Sequence, residues 1–193
     1  MADRLYLSCW LARRNGAVGV NLRSLEKMLG VFPFSKLAAR GPQIRIYAIE
    51  HSEPPQFERE FPPATDPQEL VAATREFMQP DCLAEIDAAW DLFQYDGEWR
   101  LAPAAVTLSC FGPQFENELG DQLRIDFGND ALYLPDPRMA GGLRMGESNL
   151  KSLVHLVHEI ERVLPLERRH LWSESGESPA ESILKAISSA GEK

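Results

Sequence analysis

Three carboxylates stand where oxygen ligands for a hard cation would be useful. Glu85 and Asp87 fall two apart in an alternating run, which places them on one face of a strand about 7 Å apart. Asp126 lies in a second alternating segment, "DQLRIDFG". Together they could hold a divalent cation and activate a water for hydrolysis. The same strip also reads as a solvated face that resists edge-to-edge association. No basic residue lies between Arg75 and Arg100, while Asp81, Glu85, Asp87, Asp91, Asp96 and Glu98 do.

Other chemical groups point to less. His155 and His158 are three apart on a helical pattern but off its apolar stripe, and the spacing is not HExxH. Cys9, Cys82 and Cys110 are odd in number, form no CxxC pair and sit in apolar runs, as small buried hydrophobes do. No glycine-rich phosphate loop or GxSxG occurs, and the "DFG" at Asp126 has none of the other elements of a kinase. The chain therefore reads as non-catalytic and without a cofactor. The alternative is a metal-assisted hydrolase using Glu85, Asp87 and Asp126.

Alternation supplies a second kind of site. If the apolar side of each strand meets helices, the other side faces away. Tyr6, Ser8, Trp10, Arg45, Tyr47, Arg124, Asp126, His170 and Trp172 fall on that reverse face. Rings mixed with both signs of charge are what interfaces enrich. Trp10, Tyr47 and Trp172 are the candidate anchors, with Arg45, Arg124 and Asp126 as polar contacts. The competing expectation is that another layer of the same chain covers the rings.

The elements that would position these residues can be read from periodicity. "NLRSLEKML" from Asn21 and "NLKSLVHLV" from Asn149 are both amphipathic helices, and every apolar position of the first is apolar in the second. Each follows an alternating strand, "DRLYLSCWL" or "DQLRIDFG", and precedes another, "QIRIYAIE" or "RRHLWSE". Two further helices open with a capping residue, a proline and a glutamate, at Asp66–Glu69 and Ser178–Glu181. Between the halves, Asp96-Gly97 predicts a hairpin turn in which Leu92 faces Leu101 and Gln94 faces Trp99, with a bulge or bend expected at Pro103. Pro135–Ser148, rich in Gly, Pro and Met, reads as a loop, and Gln56–Phe61 as a short edge strand.

The predicted fold is α+β, a mixed or mainly antiparallel sheet with helices on one face. It forms one domain over 1–193 with two pseudo-repeats, about 1–80 and 121–190, joined by a central meander at about 81–134. Two ferredoxin-like halves related by internal duplication is the topology this suggests.

The net charge of -9 disfavours binding to a phosphate backbone, and no apolar run is long enough to span a membrane. A cytoplasmic protein is expected, with a protein or small-molecule partner, no nucleic acid, and a homodimer as one form of self-association. An acidic inhibitor or immunity-type protein that neutralises a basic partner is a further alternative.

"FPFS" (Phe32–Ser35), "WDLF" (Trp90–Phe93), "IDFG" (Ile125–Gly128) and "LWSES" (Leu171–Ser175) together resemble an uncharacterised family of bacterial proteins over nearly the whole chain. The resemblance implies a bacterial cytosolic protein and brings no activity, cofactor or site residue. The two tryptophan motifs also read as buried packing.

Overall fold

The computed structural model describes residues 3–12, 17–48 and 53–174. The expected capped helix at Ser178–Glu181 lies outside them. Seven strands, β1 (Arg4–Leu11), β2 (Gln43–Ala48), β3 (Phe57–Glu60), β4 (Cys82–Asp96), β5 (Glu98–Phe111), β6 (Leu123–Asn129) and β7 (Leu166–Ser173), form one open sheet. Its order is β3-β2-β4-β5-β6-β1-β7, and every pairing is antiparallel. The described residues add three α-helices: α1 (Val18–Val31), α2 (Pro67–Phe77) and α3 (Gly142–Val163). The fold is therefore α+β with an antiparallel sheet.

The alternation read from sequence sorts the two faces. Leu5, Leu7, Ile44, Ile46, Ile86, Trp90, Leu108, Ile125 and Phe127 share one core with Leu25 and Met28 of α1, Leu70 of α2, and Leu153 and Ile160 of α3. Burying such side chains contributes roughly 1.5–3 kcal/mol each before the entropy of ordering is charged against it. Trp90 meets Phe32, Phe127 and Tyr133 within this core, so "WDLF" is packing. Helix α2 starts as its sequence dictates: the Asp66 carboxylate accepts from the Gln68 amide at 2.8 Å, Pro67 opens the helix and Glu69 lies in its first turn.

The repeated helices share a buried asparagine with a common task. Asn21 donates to the carbonyl of Phe111 at 2.8 Å. Asn149 donates to the carbonyls of Phe93 and Leu132 and accepts from the Phe93 amide. Each ties a helix to the backbone of the β4–β5 hairpin. The sheet order does not repeat, however. Three strands separate β1 from β2 across α1, whereas only β1 separates β6 from β7 across α3. The order does not confirm two ferredoxin-like halves related by duplication.

Three local expectations are corrected. The hairpin register is one residue off: Leu92 pairs with Ala102 and Gln94 with Arg100, while Tyr95 pairs with Trp99. Gly97, at φ 76, is the one residue between the two strands, with Asp96 pairing with Glu98 where a two-residue turn was expected. No bulge interrupts β4–β5 at Pro103, which pairs in register with Asp91. Pairing with β6 begins only at Thr107, so the outer edge of β5 at Pro103 needs no amide donor among the described residues. Helix α3 begins at Gly142, within the expected loop. A β-carbon on Gly146 would stand 2.7 Å from the Pro135 Cα. Its glycine serves close packing of the helix on the preceding chain, where the sequence suggested a loop residue.

Candidate functional site

On the face that carries no helix among the described residues, called the helix-free face below, the strand registers line up side chains in rows across the sheet. One row runs Asp87, Thr107, Asp126, Tyr6, Trp172 over β4, β5, β6, β1 and β7. The next runs Arg45, Glu85, Ser109, Arg124, Ser8, His170, from β2 across to β7. Parity alone places these residues together. Alternate side chains share a face, and the antiparallel register brings residues 15 to 166 positions apart in sequence side by side.

Within the rows nearly every charge has a neighbour. Arg45 pairs with Asp87, which also accepts from the Thr107 hydroxyl at 2.8 Å, and reaches Glu85 at 3.6 Å. Arg4 donates twice to one Asp126 oxygen, at 2.6 and 2.9 Å, and the Gly128 amide donates to the other. The Tyr6 ring stacks on Trp172 with centroids 4.4 Å apart, and the Trp172 indole donates to Ser8. Burial, then the charges of Asp126 and Glu174, push the Tyr6 hydroxyl up to about 12.

A loop at residues 112–121 rises over one end of this face. Its anchor is Asp121, whose side chain is fully buried and receives a forked ion pair from Arg124 at 2.7 and 2.9 Å. Asn117 bonds both to Asp121 and to Arg124. The Arg124 guanidinium also lies over Phe111, at 4.9 Å from the ring centroid, and over Trp172 at 6.0 Å.

The loop decides the fate of the expected anchors. Trp10, Tyr47 and Trp172 all belong to the helix-free face, but only Trp172 remains partly open. Trp10 is 3% exposed, donates to the Leu119 carbonyl and carries Arg168 over its ring. Tyr47 is 6% exposed in a small cluster with Leu83, Phe111 and Phe115. What remains is a concavity of about 680 Å³. Arg45, Glu85, Arg124, Asp126 and Trp172 line it, joined by Arg4, Tyr6, Thr107, Ser109 and the loop residues Phe115 to Leu119. Ligand pockets commonly hold about 300–1,000 Å³.

The carboxylates do not assemble as a metal site. Glu85 and Asp87 follow one another on β4 beside Arg45, whereas Asp126 is two strands away, held by Arg4. Among the described residues no group of three His, Cys, Asp or Glu is placed to hold an ion. His155 is exposed on α3 and His158 partly so. The three cysteines are free and buried. No helix among the described residues is long and apolar enough to cross a membrane.

The sequence reading passed over Arg4, Thr107, Ser109 and the whole 112–121 loop as site components. The first three follow from parity once the register is known. The signal for the loop was Asn117 and Asp121 bracketing Gly120, a composition that favours tight side-chain-to-backbone turns. Comparison with protein-family models, curated proteins and solved structures found no match to this chain.

Proposed function

We propose that the chain is a non-catalytic binding domain whose partner enters the groove between the helix-free sheet face and the 112–121 loop. One observation carries this reading: the face holds a cavity of ligand size whose floor is built by long-range strand register and whose wall is pinned by an ion pair to a fully buried carboxylate. Such a preorganised, polar-floored and ring-lined surface suits recognition, since little ordering entropy is lost on docking. The floor carboxylates already engaged by arginines do not offer the open ligand positions that hydrolysis would need.

In this reading Trp172, Tyr6 and Phe115 supply ring surface, while Arg45, Arg124 and Asp126 set the polar pattern. Trp10 and Tyr47 support the wall from beneath. A cytoplasmic setting fits the acidic charge and the three free thiols, and a second copy is one kind of partner the face could take. The remote similarity of the two halves is read as ancestry without retained symmetry.

A thermal-shift screen of charged and neutral small molecules on the wild type and on Thr107→Trp tests the proposal. The added indole fills the groove floor. Ligands that raise the wild-type Tm should lose their effect in the variant. Ligands that stabilise both proteins equally bind elsewhere and would overturn the assignment.

A further inference from the structure

Resting on that binding reading, we propose that the groove's occupant is a basic segment of a partner polypeptide, held by arginine side chains. The charge pattern argues this. Each of the three lining arginines already has its own carboxylate: Arg4 has Asp126, Arg45 has Asp87, and Arg124 has Asp121. Their charges are met within the fold, so an anionic ligand would have to displace a short ion pair and leave a carboxylate behind.

The rim is different. Glu116 and Glu118 also line the groove and are exposed. Neither has an ion-pair partner among the described residues. Their placement is fixed by the residue between them. The Asn117 side chain turns inward to Asp121 and Arg124, at 2.6 and 3.1 Å, and its amide oxygen Oδ1 also accepts from the Leu119 backbone amide. The two glutamates thus flank a pinned residue at the mouth.

Ring surface completes the match. The fold already places one guanidinium, that of Arg124, over Phe111 and Trp172. Partly open Tyr6, Phe115 and Trp172 border the same cavity. A guanidinium entering from outside would find rings below and carboxylates at the rim, the pairing that suits a planar cation. The volume exceeds what one side chain fills, which favours a peptide over a free amine. The net charge of -9 draws such a partner from a distance.

The test uses the full chain and the labelled peptide Ac-Ala-Arg-Ala-Arg-Ala-NH2 in fluorescence anisotropy at low salt. Citrulline and glutamate versions and free arginine methyl ester are the comparators. The arginine peptide should bind at least about ten-fold more tightly than any of them, and weaken as salt rises. Glu116→Gln with Glu118→Gln should reduce its affinity about five-fold or more with an unchanged melting curve.

If the citrulline or glutamate peptide binds in the groove as well, the cationic assignment falls while the groove remains a binding site. If the ester binds as tightly as the peptide, a small amine is the occupant and the polypeptide assignment falls. If the arginine peptide does not bind, the inference is overturned, and the thermal-shift screen then decides the binding reading separately.

Discussion

Arg124 holds Asp121 by two hydrogen bonds, at 2.7 and 2.9 Å, and the carboxylate it holds has no exposed surface. The pair closes the 112–121 loop onto β6 and so makes one wall of the groove. Replacing Arg124 by Met leaves a buried, unpaired carboxylate. Losses of about 3–5 kcal/mol are typical of that change, and urea unfolding should show one of this size. Adding Asp121→Asn to Arg124→Met should recover much of the loss. A double variant as unstable as the single would show that the arginine acts through ring packing instead.

Asn149 makes three hydrogen bonds to backbone atoms of Phe93 and Leu132, whereas Asn21 makes one, to Phe111. Asn149→Ala removes three bonds to part-buried backbone groups and should cost about 2–4 kcal/mol; Asn21→Ala should cost about 1–2 kcal/mol. Thermal melts of both variants check the order. Equal effects would mean that the shared position matters for helix packing alone.

Alkaline pH should unfold the protein early. Burial pushes the Cys9 and Cys110 thiols from 9.0 up to about 12, and burial likewise raises Tyr133. Because these folded values lie above the unfolded ones, the unfolded chain releases protons first. The contribution is complete below about pH 9 and is lost as pH climbs through about 12. Near pH 10.5 the loss is roughly 2 kcal/mol per thiol. Urea midpoints at pH 8 and 10.5 should differ accordingly, and Cys9→Ala with Cys110→Ala should flatten the difference. A midpoint independent of pH would contradict the burial of these thiols.

Millimolar Mg²⁺, Ca²⁺ or Mn²⁺ should leave the melting temperature within about 1 °C, because Asp87 and Asp126 are already held by Arg45 and Arg4. A saturable rise, abolished by Asp87→Asn, would restore the metal-assisted reading.

Much of the architecture was legible because it is written locally. The Asp66-Pro67-Glu69 start of α2 and the parity of β1, β4 and β6 need only nearest neighbours and a period. Errors came where a distant partner decides. Pro103 disturbs nothing because β6 pairs only from Thr107 onward, a fact of topology. Gly146 is small because Pro135 lies against it. The hairpin shifted by one residue because Gly97 admits two loop lengths, and only the completed sheet selects between them.

The candidate face was legible for the same local reason, and its shape was not. Parity put Trp10, Tyr47 and Trp172 on one side, but the loop that buries the first two is held by contacts among Asn117, Asp121 and Arg124. Nothing in the spacing of Trp10 or Tyr47 announces a lid whose closure depends on a buried ion pair elsewhere in the chain.

The four tryptophans divide the molecule for the most direct test. Trp172 borders the groove and Trp10 lies under its wall, Trp90 sits in the helix-side core, and Trp99 stands on the hairpin with its indole on the Ala140 carbonyl. Indole ¹⁵N–¹H resonances should be followed while the two-arginine peptide is titrated in. The account predicts a saturable shift of Trp172, a smaller one of Trp10, and fixed positions for Trp90 and Trp99. A titration that moves Trp99 and leaves Trp172 in place would contradict it.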